Sequence, residues 1–250
     1  RAGEHVPVPG VREVHESARA DVRSFMVVDH VAGVALSEAL DSGALGDDDL
    51  RALGGAVAEV SSCIGAVTIG SRPGFFDDAQ LRVPPERPWS EQLPEFAAAC
   101  MESTPDTRLE PSTRRAWVEL CAKHAPSLAE VDEQARLVHS DFNPKNLLVA
   151  RTDAGWRVTS VLDWEFAYAG CRYTDAGNML RHAVDYPAAY VDGFRAGYGE
   201  GVPAGVSWEY LGAVIDMFAL SDLVTRPGAH PVADLAAGRI RSLLDGGLDR

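Results

Sequence analysis

The sequence lacks several features that identify large classes of protein. It has no apolar run of about 18 residues, and no basic segment leads into an apolar stretch near the N-terminus. We therefore expect neither a membrane span nor a secretory signal. No Cys-x-x-Cys pair occurs, which argues against a zinc ribbon and predicts reduced thiols in the cytoplasm. The scattered cysteines are Cys63, Cys100, Cys121 and Cys171.

Lysine is also scarce, because Lys123 and Lys145 are the only lysines among 23 basic residues. Against 37 acidic residues this gives a formal net charge of −14. A chain that acidic repels nucleic-acid backbones and anionic membranes, so we expect neither as a partner. The surplus carboxylates fit two interpretations, attraction of a cationic small molecule and simple maintenance of solubility, and both stay open.

Helical pattern dominates the 250 residues, which are 46% apolar. A Ser-x-x-Glu capping box at Ser127 and Glu130 predicts a short helix that ends near Ala135. Residues 70–89 are rich in Gly, Pro and charge, and predict a surface excursion. Apolar residues at three- and four-residue spacing predict helices that begin at 37–40 and cover 47–67, 90–101, 112–124, 175–184, 187–198, 208–225 and 231–244.

Between residues 136 and 164 the pattern changes to strand, which makes the predicted fold class α+β. Segments 146–150 and 156–162 flank a Gly-containing turn and predict an antiparallel hairpin. Pairing about that turn places Asn146 opposite about position 161, within two residues of Asp163. The hairpin thus brings an amide oxygen and a carboxylate side by side at its open end.

Asp141 reaches the same end of the hairpin from the preceding loop. Converging oxygen ligands suit Mg²⁺, with triphosphate oxygens completing the octahedron. A nearby carboxylate that does not bind the metal could accept the proton of an attacking hydroxyl, so the pattern indicates phosphoryl transfer. A metal-dependent phosphoesterase is an alternative, although the other histidines form no group of ligands. Ser140 is outside a Gly-x-Ser-x-Gly motif, which argues against a serine hydrolase.

The order of these motifs resembles a known family. His-Ser-Asp at 139–141 with Asn146, followed by Asp-Trp-Glu at 163–165, resembles the catalytic and metal-binding loops of protein kinases. In the form HSDFNPKNLLV, VLDWEFAYAG and DAGNMLR, the sequence more closely resembles the aminoglycoside phosphotransferase family, whose fold is kinase-like. The resemblance implies an ATP- and Mg²⁺-dependent phosphotransferase that acts on a small-molecule hydroxyl. An aminoglycoside or related antibiotic is the first candidate acceptor.

The resemblance also implies roles for single residues. Asp141 would be the catalytic base, and Asn146 and Asp163 would bind magnesium. His139 would be a structural member of the catalytic loop, and Asp175 would brace the backbone of that loop.

For the nucleotide, ATP or GTP, the resemblance points to the segment FMVVDHVAG as the hinge that reads the adenine. The Asp29 carbonyl and the Val31 N–H would bind the edge of the base, and Val28 would lie beside the ring. Lys145 would contact phosphate.

Two groups of side chains stay open. Glu165 fits contact with a second metal or water, and it also fits an exposed loop. The family lines its acceptor pocket with acidic residues from C-terminal helices, although each candidate here also fits a solvated surface: Asp185, Asp192, Asp216 and Asp222. The aromatic residues of 186–218 recur at helical spacing and are predicted to pack in the core.

The resemblance divides the chain into an N-lobe remnant with the hinge, 1–32, and a helical C-lobe, 33–250. It runs from about Glu4 to the end. The family's lysine-bearing strand, partner helix and phosphate-covering loop precede the hinge, and none of the residues before this hinge is lysine. We expect those elements upstream of Arg1, in preference to a separate chain. A natural remnant that binds a nucleotide or ligand without catalysis is the alternative function.

Overall fold

The computed structural model describes residues 6–17 and 23–248. Predictions that fall on residues 1–5, 18–22 and 249–250, including the start of the N-terminal unit and of the family resemblance, lie outside the described residues. The strands are β1 (Val11–His15), β2 (Phe25–Val28), β3 (Val34–Ala35), β4 (Arg136–Val138), β5 (Leu147–Thr152), β6 (Gly155–Val161) and β7 (Tyr168–Gly170). The α-helices are α1 (Leu36–Asp41), α2 (Asp47–Ala66), α3 (Trp89–Ser103), α4 (Pro111–His124), α5 (Thr174–Leu180), α6 (Ala188–Glu200), α7 (Trp208–Leu223) and α8 (Pro231–Gly246). Short 3-10 helices cover Ala125–Glu130, Pro144–Asn146 and Ala183–Asp185.

Small antiparallel sheets are set into this mainly helical chain, which confirms the predicted α+β class. Strand β1 pairs with β2, β4 pairs with β7, and β3, β5 and β6 form a three-stranded sheet in the order β3-β5-β6. Every residue of β1 and β2 is exposed, whereas the hairpin β5–β6 buries one face. The hydrophobic core lies on the buried face of the hairpin and continues among the helices.

The β5–β6 hairpin has the predicted pairing, with one irregularity. Thr152 pairs with Gly155 at the turn, as expected, but a bulge near Val149 shifts the register by one residue toward the open end. As a result the Leu162 N–H donates to the Asn146 carbonyl at 2.8 Å. Asn146 thus lies one residue closer to Asp163 than the sequence pattern indicates.

The linker between β2 and β3 lies directly on this hairpin. Gly33 has φ 151°, and a Cβ there would be 2.8 Å from Thr159 Oγ1 and 3.0 Å from the Val149 carbonyl. Only glycine allows the linker to pass this close. On the other side, the Val161 N–H donates to the Pro7 carbonyl at 2.8 Å. These contacts fix the hinge segment against the hairpin.

Helices α2 and α6 pack closely in the core. Helix α2 begins with three aspartates, which favour the N-terminal end of a helix dipole. A Cβ at Gly54 would be 2.2 Å from the Tyr190 carbonyl, and a Cβ at Gly193 would be 2.2 Å from the Arg51 carbonyl. The absence of side chains at these two glycines lets the backbones of the two helices touch.

The predicted capping box is wrong. Instead of opening a new helix, residues 125–130 continue α4 as a 3-10 helix, and the Ser127 hydroxyl donates back to the His124 carbonyl at 2.8 Å. The continuation of α4 therefore overrides the local capping pattern, and no helix reaches Ala135. Within residues 6–17 and 23–248, no helix has both the length and the apolar character needed to cross a membrane.

Candidate active site

His139 ties the catalytic loop to the end of β6. Its ring is fully buried, and Nε2 lies 2.7 Å from the Leu162 carbonyl while Nδ1 accepts from the Asp141 N–H at 3.2 Å. Since a carbonyl can only accept, Nε2 carries the proton. The ring also packs against Trp164, with centroids 4.7 Å apart. The imidazole therefore joins the loop that carries Asp141 to the turn that carries Asp163.

Asp175, at the start of α5, holds the backbone of the same loop. Its carboxylate accepts from the His139 N–H at 3.0 Å and from the Ser140 N–H at 2.9 Å. Burial raises the pKa of Asp175, while the two N–H donors act in the opposite direction. Ser140 has φ 72°, a left-handed conformation that is unfavourable for serine and that these hydrogen bonds offset.

The Asp141 carboxylate is held by two amides. Asn143 Nδ2 donates to Oδ1 at 2.8 Å, and Asn146 Nδ2 donates to Oδ2 at 2.8 Å. Each oxygen keeps a second lone pair for another donor. Asn143 was not predicted as a site residue. Its Asn-Pro sequence is the signal that was available, because Asn143 Oδ1 caps the 3-10 helix by accepting from the Lys145 N–H at 2.9 Å.

Asn146 and Asp163 present oxygens that fit a magnesium ion. Because Asn146 Nδ2 donates to Asp141, its Oδ1 is left as a hard oxygen ligand. Asp163 is exposed in a left-handed turn at φ 63°, and within the described part of the chain its carboxylate has no hydrogen bond or ion pair. In that part no group of three or more His, Cys, Asp or Glu is placed to hold a metal. The donor set therefore suits a cation that takes its other ligands from phosphate and water.

The predicted hinge residues lie where β2 leaves its sheet. The Asp29 N–H donates to the Gly10 carbonyl at 2.8 Å, and the Asp29 carboxylate pairs with Arg12. The Asp29 carbonyl and the Val31 N–H have no partner among residues 6–17 and 23–248. Val28 is exposed. A donor and an acceptor two residues apart are thus free on the linker.

Lys145 and Glu165 are both exposed. Lys145 is in the 3-10 helix before β5, and its ammonium group has no partner among the described residues. Glu165 lines the cavity beside Asp141.

A cavity of about 810 Å³ opens beside Asp141, a size that accommodates a drug-sized ligand. Residues of the predicted excursion 70–89 form part of its wall, together with side chains from α3, α5 and α7. Of the four acidic candidates, Asp216 and Asp222 line the cavity, whereas Asp185 and Asp192 are outside it. Phe218, predicted to be in the core, also lines the cavity.

A buried ion pair forms the polar floor of this cavity. Arg181 donates to Asp216 through Nε at 2.8 Å and Nη2 at 2.6 Å, and Asn178 Nδ2 donates to Asp216 Oδ1 at 2.7 Å. Both charged side chains are almost completely buried. Burial lowers the pKa of Arg181, whereas the negative charges of Asp216 and, to a smaller extent, Asp141 raise it. The floor is therefore close enough to the candidate base to interact with its charge.

Comparisons with known proteins identify the family. A family model described as the phosphotransferase enzyme family matches residues 1–209. A search of the curated proteins gives no match.

Several solved structures share the fold. A thermostable mutant of aminoglycoside phosphotransferase APH(4)-Ia, in a ternary complex with ADP and hygromycin B, has a TM-score of 0.70 and 22% identity, and the match covers 98% of this chain and 79% of that one. The GDP and kanamycin complex of APH(2″)-IIIa has a TM-score of 0.63 and 17% identity, over 96% and 75% of the two chains. An aminoglycoside-3′-phosphotransferase of type VIII has a TM-score of 0.55 and 20% identity, over 87% and 76%.

The match to the family model covers most of the chain, and the similar solved structures confirm the kinase-like fold. The family predicted from the motifs is thereby confirmed. The chain belongs to the phosphotransferase enzyme family and is a small-molecule phosphotransferase with the fold of the aminoglycoside phosphotransferases.

Proposed function

We propose that the protein transfers the γ-phosphate of ATP or GTP to a hydroxyl group of a small molecule, with Asp141 as the catalytic base. One observation carries this proposal. The Asp141 carboxylate is oriented by Asn143 and Asn146 at the edge of a cavity of about 810 Å³, and the Leu162 N–H, one residue before Asp163, donates to the Asn146 carbonyl at 2.8 Å.

In the proposed reaction the acceptor hydroxyl lies in the cavity and donates its hydrogen bond to Asp141. The hydroxyl oxygen attacks the γ-phosphorus, and a new P–O bond forms as the bond to the β,γ-bridging oxygen breaks in line with it. The hydroxyl proton moves to the Asp141 carboxylate, and the electron pair of the broken bond stays with the nucleoside diphosphate. Asn143 and Asn146 keep the carboxylate aimed throughout, which lowers the entropic part of the barrier.

Asn146 Oδ1 and the Asp163 carboxylate would hold the magnesium ion. When bound, Mg²⁺ supplies positive charge that neutralises the phosphate oxygens. The residues of this chain then have two separate tasks, because Asp163 serves the metal while Asp141 serves the proton. His139 helps to fix the relative positions of the two carboxylates, because its ring bonds to the loop of Asp141 and to Leu162, which precedes Asp163.

The free carbonyl of Asp29 and the free N–H of Val31 support binding of a purine at the hinge, with Val28 beside the ring. The relatives are solved with ADP or GDP. Lys145 would reach a phosphate. We propose the same division into an N-lobe remnant with the hinge, 1–32, and a helical C-lobe, 33–250.

For the acceptor, the relatives carry hygromycin B or kanamycin, so aminoglycosides and related antibiotics are the first compounds to test. Asp222 and Glu86 on the rim of the cavity could meet a cationic group. A cytoplasmic location, where resistance to an antibiotic would act, fits the four free thiols.

The test is acceptor-dependent release of ADP or GDP in the presence of Mg²⁺, followed over a panel of aminoglycosides and simple alcohols. We expect release that requires an acceptor and that is lost in Asp141→Ala. Turnover that survives Asp141→Ala would overturn the mechanism. Nucleotide binding with no turnover of any acceptor would favour the alternative, a binding protein without catalysis.

A further inference from the structure

One wall of the cavity beside Asp141 is made of aromatic rings. We define the aromatic wall as five residues whose rings contact one another in a continuous series, with centroids 5.0 to 6.0 Å apart. They come from the excursion, α3, β7 and α7, and are Phe75, Trp89, Phe96, Tyr168 and Phe218. Four separate segments therefore converge to build one apolar surface beside Asp141.

Part of this surface is left open to the cavity. Phe75 is 54% exposed although its ring packs against the buried Tyr168, and Phe96 is 39% exposed and packs against the half-buried Phe218. Phe166, from the loop after Asp163, also lines the cavity and is 54% exposed. Aromatic faces left in contact with water are the surfaces on which ligands gain most from apolar burial.

The charges of the cavity do not match a polyamine. Five carboxylates and three guanidinium groups line it, which gives a net charge of −2. Asp216 is already neutralised by Arg181, and Asp141 serves the proton. The carboxylates left for a cation are Glu86, Glu165 and Asp222 at exposed positions, with Arg226 on the same cavity. These three carboxylates are fewer than the four or five ammonium groups of such a ligand, so at least one or two of those groups would be left without a carboxylate partner.

Aromatic residues can also hold a quaternary ammonium ion, but in a different arrangement. Such sites surround one small cation with ring faces. Here the rings pack against one another, edge-on at 87° and 78° in two of the contacts, so they form a wall and do not enclose a point. The volume of about 810 Å³ is also far larger than a methylated ammonium group needs.

We infer that the acceptor is an amphiphilic alcohol, with an extended apolar or aromatic face that lies on the aromatic wall and no more than one or two cationic groups. This inference rests on the proposed function, because it places the reacting hydroxyl at Asp141. It narrows the acceptor class away from the polyamino sugars that the relatives bind.

The test compares two ligands that carry the same sugar hydroxyls. Binding of 4-nitrophenyl β-D-glucopyranoside and methyl β-D-glucopyranoside is measured by calorimetry without nucleotide, with erythromycin and kanamycin A as larger probes. We expect the aryl glucoside to bind at least about tenfold more tightly than the methyl glucoside, and erythromycin to bind more tightly than kanamycin A. An aryl glucoside that binds no better than the methyl glucoside, or tighter binding of kanamycin A, overturns the inference.

Matched variants locate the binding. Phe75→Ser and Phe96→Ser should each weaken the aryl glucoside at least about fivefold. Leu235→Ser and Val232→Ser on α8 are controls, since these side chains are 54% and 37% exposed and lie outside the cavity. Equal effects of wall and control variants would also overturn the inference.

The same ligands are then tested for ADP release with Mg²⁺ and ATP. Wall-dependent binding without any release supports the cavity assignment and contradicts the proposed function. ADP release with kanamycin A, without tighter binding of the aryl ligands, supports the proposed function and contradicts the inference about the aromatic wall.

Discussion

The catalytic loop and the aromatic wall border one cavity but are held in place by different interactions. In the loop, His139, Asp141 and Asp175 make hydrogen bonds of 2.7 to 3.2 Å that fix each polar group. The wall has no such bonds between its members and depends on ring packing, with Phe75 and Phe96 partly exposed. A hydrogen-bonded loop tolerates little displacement, whereas rings can shift and still bury area. The difference suits a fixed reaction and an adjustable choice of acceptor.

The largest effect is expected for Asp141→Asn, which tests whether the ordered loop holds the catalytic base. We expect the rate of phosphoryl transfer to fall by about 10²–10⁴-fold, because the amide cannot accept the hydroxyl proton. Nucleotide affinity, measured by calorimetry with Mg·ATP, should stay within about twofold. Asp192→Asn is the matched control, since that aspartate is exposed on α6 outside the cavity. Equal rates in the two variants would show that the ordered loop does not hold the base.

The second prediction concerns the buried ion pair of Arg181 and Asp216, which forms the floor of the cavity. Arg181→Met leaves the buried Asp216 carboxylate without its guanidinium partner, and should lower the free energy of unfolding by about 3–5 kcal/mol in urea denaturation. The double change Arg181→Met with Asp216→Leu should recover most of that loss, since no charge is then left buried.

Arg195→Met is the control for that experiment. Arg195 pairs with Glu209 at 2.9 Å, but both side chains are about half exposed, so we expect a change of no more than about 1 kcal/mol. If Arg181→Met lowers the free energy of unfolding no more than Arg195→Met does, the buried ion pair does not stabilise the cavity more than an exposed pair would.

These two regions also differ in how far the sequence predicts them. The loop and hairpin occupy about 25 consecutive residues, so turn chemistry and strand pairing could place Asn146 near Asp163. What was missed there is local, namely the bulge at Val149 and the amide of Asn143. Both depend on how the open end of the hairpin meets the loop, which strand alternation does not encode.

The wall was not predictable in this way. Its rings lie between positions 75 and 218 and meet only after the helices have packed. Phe218 has the helical spacing of a core residue, and Phe75 is in a stretch that looks like an irregular surface excursion. Which apolar side chain faces a cavity is decided by tertiary packing. The same competition explains the wrong capping box at Ser127, where residues 125–130 continue α4 as a 3-10 helix in spite of a local signal for a new helix.

The third prediction tests whether the loop depends on its brace. In Asp175→Asn a single carbonyl oxygen replaces the two oxygens that accept from the His139 and Ser140 N–H groups, and the amide nitrogen faces one of those donors. We expect a loss of about 1–3 kcal/mol in the free energy of unfolding and a lower kcat with unchanged binding of aryl ligands. Urea denaturation and steady-state kinetics measure both. Asp245→Asn on α8 is the control, and a loss of aryl binding equal to the loss of kcat would contradict the separation of loop and wall.

The smallest expected effect distinguishes orientation from metal binding within the loop. Asn143→Ala removes the donor to Asp141 Oδ1 and should lower kcat about tenfold, equivalent to about 1.4 kcal/mol, because the carboxylate gains freedom to rotate. The magnesium concentration for half-maximal rate should stay the same. Asn146→Ala removes the other donor together with an oxygen proposed for the metal, so it should lower kcat and also raise that magnesium concentration. Magnesium titrations of the two variants measure the difference. If Asn143→Ala shifts the magnesium dependence as much as Asn146→Ala does, then Asp141 binds the metal directly and cannot be assigned to the proton alone.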